Sequence, residues 1–61
     1  MFADNLKRIR KEKGLTQVQL AEKLNCSQNE ISRWENGLEP SISNLIKLSD
    51  ALSCTVDELV R

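Results

Sequence analysis

Apolar residues recur every three or four positions along most of this 61-residue chain, which is the spacing of helices with one buried face. Together with the residues that begin and end helices, this spacing predicts five helices: 3–13, 17–24, 28–36, 42–52 and 56–60. Strand-like alternation is missing, and the one Asn-Gly pair, at 36–37, follows a helical stretch instead of joining two strands. The sequence therefore predicts an all-α fold in one domain, residues 1–61.

Three of the predicted helices begin with the same local signal. Thr16, Ser27 and Thr55 are each followed three residues later by Gln or Glu, a spacing that allows a reciprocal capping box. An apolar pair flanks each box, at the two positions that pack across a helix entry. Gly14 and Gly37 are placed to end the first and third helices.

The predicted core is aliphatic, because the chain has one Phe, one Trp and no Tyr. A chain of 61 residues lies near the lower limit for folding without disulfides or metals, so every helix must contribute to this core. The residues assigned to inner faces are Phe2, Leu6, Ile9, Leu20, Ala21, Leu24, Ile31, Trp34, Ile42, Leu45, Leu48 and Leu52.

The two cysteines, Cys26 and Cys54, are interpreted as free thiols that act as small apolar residues, with a disulfide as the alternative. With no His and two isolated thiols, no metal site is expected. No apolar run approaches the roughly 20 residues of a membrane span, and no signal peptide is recognisable. A cytoplasmic protein without a cofactor is expected.

Charge is balanced overall but unevenly distributed. Residues 1–33 carry seven basic and four acidic side chains, whereas residues 34–61 carry two basic and five acidic ones. Such a chain can present a positive face to nucleic-acid phosphates although its net charge is zero. A basic helix face that is merely solvated fits the distribution equally well.

The third predicted helix has an unusual polar face. At about 100° per residue, Ile31, Trp34 and Glu35 lie on its inner side. The polar residues that lie opposite or on the flank are Gln28, Asn29, Ser32, Arg33 and Asn36. Amide, hydroxyl and guanidinium groups can pair with base edges in DNA, and the Glu–Lys pairs of an ordinary solvated face are missing. Base recognition is therefore favoured over an inert surface.

Glu35 places a carboxylate on the inner side of this helix. An unpaired buried charge is costly, so a cationic partner is expected. Arg10 is the proposed partner because it lies next to Ile9, close to the apolar side of the first helix. A Glu35 side chain bent out to solvent is the alternative.

The segment TQVQLAEKLNCSQNEISRWENG, residues 16–37, resembles the helix-turn-helix of the phage lambda-repressor and Cro-like family, also called the xenobiotic-response-element family. The leading NLKRIRKEKGLT, the trailing GLEPSISNLIKLSDAL and the final TVDELV extend the resemblance to nearly the whole chain. It implies a compact five-helix lambda-repressor-like DNA-binding domain. The second and third helices would form the helix-turn-helix, and the third would enter the major groove.

The resemblance also assigns roles by position. Gln17 would hold a phosphate, and the base-reading residues would be Gln28, Asn29 and Arg33. Ser27 and Ser32 would lie at the groove edge, and the flanking backbone would be contacted by Asn36, Ser41 and Ser43. The family often pairs an Arg of the first helix with the Glu of the third, which supports Arg10 and Glu35 as a structural ion pair.

Two departures from the family pattern bear on these roles. Asn25 takes the turn position usually given to Gly, and Asn is the commonest other residue in the left-handed conformation. The loop at 38–41, LEPS, lacks the Lys or Arg often found there and carries Glu39, which is unfavourable near phosphate. Weaker DNA affinity and a greater dependence on dimerisation are expected.

The expected function is recognition of a double-stranded DNA operator by a homodimer, with a small Cro-like repressor as the expected type of regulator. The dimer contact is expected from the last helix, with Val56, Leu59 and Val60. Neither catalytic residues nor a small-molecule ligand are expected, because the carboxylates are scattered and no glycine-rich phosphate loop exists. The alternative is a helical protein–protein interaction module or antitoxin-like partner protein. It would explain the zero net charge but not the polar face of the third helix.

Overall fold

The computed structural model describes residues 1–61 as five helices without strands. They are α1 (Phe2–Glu12), α2 (Gln17–Leu24), α3 (Gln28–Glu35), α4 (Ile42–Leu52) and α5 (Val56–Val60). The predicted all-α class is confirmed, and α2, α4 and α5 have the predicted bounds. Helix α1 lies one residue earlier than predicted, and α3 ends one residue earlier because Asn36 is its C-cap. None of the five has the length and apolarity to cross a membrane.

Side-chain caps begin four of the five helices. Thr16 and Thr55 form complete capping boxes, in which each hydroxyl accepts from the amide three residues on at 3.1 Å. Ser27 forms only half of the predicted box. Its hydroxyl accepts from the Glu30 amide at 3.4 Å, but the Glu30 carboxylate does not accept from the Ser27 amide. Ser41 caps α4 in the same half-box manner, at 3.2 Å. The hydroxyl caps therefore set the start of every helix after α1.

One apolar core receives side chains from all five helices. Helix α1 packs against α3 and α5, and α2 packs against α3 and α4. The nine buried apolar residues are Leu6, Ile9, Leu20, Ala21, Ile31, Trp34, Leu48, Leu52 and Leu59. Both cysteines are free and half-buried at the edge of this core, where burial raises the pKa of each thiol. Leu59, which was expected at a dimer contact, belongs to the core instead.

The predicted inward position of Ile42 is wrong. This residue is 77% exposed, and Ile46, one turn later, is 51% exposed. The buried side of α4 is centred on Leu48 and Leu52. Ile42 is the first residue of the helix and lies at the margin of that side, so the helical spacing alone does not bury it.

A buried ion pair joins α1 to α3. Arg10 donates from Nε to Glu35 Oε2 at 2.6 Å and from Nη2 to Glu35 Oε1 at 3.2 Å. The two side chains are 9% and 3% exposed. Arg10 Nη1 also donates to the carbonyl oxygen of Leu15 at 2.7 Å, which fixes the connection between α1 and α2. The Glu35 carboxylate therefore faces inward, and one guanidinium holds together three segments of the chain.

Opposing influences act on the pKa of Glu35. Burial is the largest single one, and it would raise the pKa because it disfavours the charged carboxylate. Hydrogen bonds from Arg10 and Gln17 and the nearby positive charges act the other way and together hold the pKa of Glu35 below its ordinary value. The carboxylate is therefore ionised at neutral pH.

The lowered pKa of Glu35 predicts a loss of stability in acid. In the unfolded chain a Glu titrates near pH ~4.3, so the contribution of the ion pair is present above that pH and is lost as the pH falls through the lower folded-state pKa. Glu35→Gln should lose about 3–5 kcal/mol at pH 7, because it leaves the Arg10 charge without its partner. Its free energy of unfolding should also change less than that of the wild type between pH 6 and pH 3.

Urea unfolding at a series of pH values measures both effects. Glu58→Gln is the matched control, since the backbone amide and then the hydroxyl of Thr55 also lower the pKa of Glu58, but on the protein surface. Parallel pH curves for the wild type and Glu35→Gln would show that acid unfolding has another origin.

A pair of substitutions on α4 tests the assignment of its buried side. Leu48→Ala should cost about 2–5 kcal/mol in free energy of unfolding, because Leu48 is fully buried. Ile42→Ala should stay within about 0.5 kcal/mol of the wild type, because Ile42 is mostly exposed. Thermal and urea unfolding measure both. Similar costs for the two variants would place Ile42 in the core after all.

Candidate nucleic-acid interface

A tight joint fixes α3 relative to α2. Asn25 ends α2 in the left-handed conformation, with φ 56° and ψ 44°. The Cys26 amide then donates back to the Ala21 carbonyl oxygen at 3.0 Å, which completes the end of the helix. Ala21 is 3% exposed and provides the small side chain where the two helices meet. With Ser27 already capping α3, the joint leaves little freedom in the angle between the helices.

The two sides of α3 differ sharply in burial. Ile31 and Trp34 are 0% and 3% exposed and anchor the helix in the core. On the other side Gln28, Asn29 and Arg33 are exposed, and Ser32 is half-buried. These four polar residues, 28, 29, 32 and 33, form the α3 polar face. It is a rigid surface, because the opposite side of the same two turns is packed.

The hydrogen-bonding groups of the α3 polar face take no part in ion pairs. Arg33 takes part in none of the three ion pairs of the chain, which are Arg8–Glu12, Arg10–Glu35 and Arg61–Asp57. A free guanidinium can bind guanine at two atoms, and a free carboxamide such as that of Asn29 can bind adenine in the same way. The face therefore offers the donors and acceptors that base-edge recognition needs.

Gln17 lies between the ion pair and the α3 polar face. Its Nε2 donates to Glu35 Oε1 at 3.1 Å, and its Oε1 accepts from Gln28 Nε2 at 3.3 Å. The family resemblance assigned Gln17 a phosphate contact and gave no sign of these two bonds, which join residues 18 and 11 positions apart. The second hydrogen on Gln17 Nε2 is still available to a phosphate.

Asn36 and Ser32 are bonded to each other at the end of α3. Asn36 Nδ2 donates to the Ser32 carbonyl oxygen at 2.7 Å and to Ser32 Oγ at 3.3 Å. The Asn36 amide is therefore bonded within the end of α3. A phosphate oxygen needs a donor, so the backbone contact expected of Asn36 competes with these bonds. Ser32 keeps its hydroxyl hydrogen for donation.

Three further serines were expected to contact DNA, Ser27 at the groove edge and Ser41 and Ser43 at the flanking backbone. Ser27 and Ser41 are exposed helix caps, and Ser43 lies exposed in the first turn of α4. A capping hydroxyl accepts from a helix amide, so its own hydrogen remains free to donate. The first-turn amides of α3 and α4 add a partial positive charge at the same two places. Ser27 and Ser41 can thus cap a helix and bind a phosphate at once.

The chain has no metal-binding cluster, and its one mostly apolar groove is poorly suited to a small ligand. No group of three or more His, Cys, Asp or Glu residues is arranged to hold a metal ion. A groove of about 380 Å³ near the start of α1 has mostly apolar walls and includes Pro40, Leu45 and Val60, with Glu39 as its one charged residue. It lacks the several convergent polar groups that orient a small ligand.

Sequence comparisons agree with this geometry. The helix-turn-helix family matches residues 6–59. The chain is 43% identical over 60 residues to the HTH-type transcriptional activator BcrR of Enterococcus faecalis, which covers 97% of this chain and 29% of BcrR. It is 45% identical over 56 residues to the immunity repressor protein of Bacillus phage phi105, which covers 90% of this chain and 39% of that protein. The chain thus spans less than half the length of these two relatives.

A solved structure is similar over the whole fold. The crystal structure of SinR, a master regulator for biofilm formation, in complex with DNA superposes with a TM-score of 0.91 and 36% sequence identity. The match covers 100% of both chains. This chain belongs to the helix-turn-helix family of Cro/C1-type transcription regulators, which are DNA-binding proteins and not enzymes.

Proposed function

We propose that this chain binds double-stranded DNA sequence-specifically, with α3 in the major groove and α2 across the sugar–phosphate backbone. The observation that carries the proposal is the α3 polar face, which is exposed and rigid and is made of groups that match base edges. SinR, whose domain has the same fold and was solved with DNA, supports it. The basic first half of the chain, which includes α2 and most of α3, supplies charge for the phosphates.

The proposed roles divide between base reading and positioning on the backbone. Gln28, Asn29 and Arg33 read bases, with Arg33 directed to guanine and the amides to adenine. The remaining residues bind phosphate or lie at the groove edge: Gln17, Ser27, Ser32, Ser41 and Ser43. Asn36 joins them, in competition with its bonds to Ser32. Repression is the proposed action, supported by the likeness to the phage immunity repressor.

The proposed active form is a homodimer. One module of this size offers about 600–1,000 Å² of DNA contact, and two half-sites multiply its specificity. Leu38, Ile42 and Ile46 are 55%, 77% and 51% exposed, and the two isoleucines lie one turn apart on α4. We propose the exposed isoleucines of α4 as the centre of the dimer contact, because Leu59 of α5 is buried in the core. Val60, at 44% exposed, is the part of the expected α5 contact that stays on the surface.

Selection of bound sequences from a random duplex pool tests the proposed function. The expected product is a palindrome with half-sites 10–10.5 base pairs apart, which reports both sequence specificity and a symmetric dimer. Affinity for the selected duplex should fall steeply as salt rises, because bound phosphates release counterions. Binding that is insensitive to salt would support the alternative, a protein–protein interaction module. A single, non-repeated half-site would argue against the dimer but not against DNA binding.

Arg33→Ala should relax base preference at one position in each half-site. The expected loss is about 1–3 kcal/mol on the preferred sequence, with a much smaller loss on duplexes that already differ there. Arg61→Ala is the matched control, because it removes the same charge from the far end of the chain. Titrations of each variant with all four base pairs at that position measure the effect. An equal loss on all four would assign Arg33 to phosphate.

A further inference from the structure

One side of α1 carries two basic residues that have no ionic partner. Lys7 and Lys11 are one helical turn apart, and both are exposed. Neither belongs to any of the three ion pairs of the chain, whereas each arginine of α1 is paired with a glutamate. The two lysines are therefore the unpaired positive charges of this helix.

The contacts of α1 show on which side of the helix Lys7 lies. Arg10 donates to Glu35 and marks the side that faces α3. Asn5 Nδ2 donates to the carbonyl oxygen of Leu59 at 3.1 Å and marks the side that faces α5. At about 100° per residue, Lys7 lies about 60° from Arg10 and about 160° from Asn5. Lys7 is thus next to the ion pair and away from α5.

This side of α1 is also the side of Gln17. Gln17 Nε2 donates to the same Glu35 carboxylate at 3.1 Å. Burial raises the pKa of Glu35, but the bonds from Arg10 and Gln17 and then the charges of Arg10 and Lys7 lower it. The helical position of Lys7 and its influence on Glu35 agree, and both place its ammonium group near Gln17.

Helix α1 connects two places that are proposed to hold DNA phosphates. Its first residues line the same groove as Pro40, which directly precedes Ser41. Arg10, near its other end, is bonded to the connection that leads to Gln17. At 1.5 Å per residue, the stretch from position 3 to position 10 is about 10 Å long, and Lys7 lies near its middle. Successive phosphates of one strand rise by only about 3.4 Å, so a strand held at both ends has a phosphate in between.

We propose that Lys7 binds a DNA phosphate between those held by Gln17 and Ser41, which makes α1 part of the DNA-binding surface. A lysine ammonium is a point charge on a flexible four-carbon chain, so it can reach a phosphate beyond the helix surface. The contact offsets the loop at 38–41, which has no basic residue and carries Glu39. Lys11 lies about 40° further round the helix, away from α3, and is assigned no contact. The inference rests on the proposed function, since it adds a contact to the same interface.

The salt dependence of binding tests whether Lys7 touches DNA. The probe is the duplex selected by the wild-type protein. Lys7→Gln releases one counterion fewer, so the slope of log affinity against log salt should become less negative by about 0.9, with a fivefold to tenfold loss of affinity near 0.1 M salt. The loss should be the same for every duplex sequence, because a phosphate carries no sequence information. Lys7→Arg keeps the charge and should keep the slope.

Lys47→Gln is the matched control. Lys47 is also exposed and has no ionic partner, but it lines a groove with the last residues of α2, at the opposite end of that helix from Gln17. Its removal takes away the same charge from the chain without a proposed contact. The slope should therefore change much less than in Lys7→Gln.

A second measurement locates the phosphate that Lys7 binds. Each phosphate of the half-site is replaced in turn by a neutral methylphosphonate, and the affinity is compared with that for the unmodified duplex. The wild-type protein should lose affinity at the phosphate of Lys7, and Lys7→Gln should be insensitive there. Gln17→Ala and Ser41→Ala identify their phosphates in the same way, and that of Lys7 should lie between them. These ratios do not depend on how much of a variant is folded, because an unfolded fraction lowers both affinities by the same factor.

Each outcome bears on a distinct statement. A reduced slope in Lys7→Gln but not in Lys7→Arg or Lys47→Gln, with one insensitive phosphate between the other two, supports the contact. An unchanged slope, an equal change in Lys47→Gln, or a loss confined to one base pair would overturn it. Failure of the wild-type protein to bind DNA in a salt-dependent manner would instead overturn the proposed function, before any variant is compared.

Discussion

The ion pair between Arg10 and Glu35 is the interaction on which the rest of the structure depends. It joins α1 to α3 and, through the Leu15 carbonyl oxygen, holds the connection that leads into α2. A domain of 61 residues has a total stability of only about 3–9 kcal/mol, and breaking one partner of a buried pair costs about 3–5 kcal/mol. Removal of either partner would therefore take away much of the stability of so small a domain.

The charged pair under α3 also bonds to an amide side chain of α2. A purely apolar contact at this point would hold α1 against α3 equally well, since buried pairs are often no more stabilising than apolar replacements. What an apolar contact cannot do is impose a direction on neighbouring amides. The Gln17 and Gln28 carboxamides have such a direction because Glu35 is ionised, and the apolar remainder of the core has no comparable influence on the surface.

Most of the fold followed from local physical chemistry in the sequence. Hydroxyl caps and helical spacing were enough to place α2, α4 and α5 to the residue, because a cap and its amide lie within one turn. Ile42 was misplaced because spacing identifies one side of a helix but not whether a neighbour covers its first turn. The Gln17 bonds to Glu35 and Gln28 could not be predicted, since they join residues far apart in sequence and depend on the angle between α2 and α3. The base-reading residues could be proposed from the face they share, but the bases they prefer could not, because base choice also depends on how the helix docks against DNA.

The cap at Ser41 has a consequence for which residues that position tolerates. Its hydroxyl accepts from the Asn44 amide while its own hydrogen points elsewhere, so one small group serves the helix and stays available to an anion. Thr preserves both capacities. Asn and Asp are equally good caps, but Asp would bring a negative charge to the proposed phosphate contact. The proposed phosphate role thus suits fewer residues at position 41 than the capping of α4 alone does.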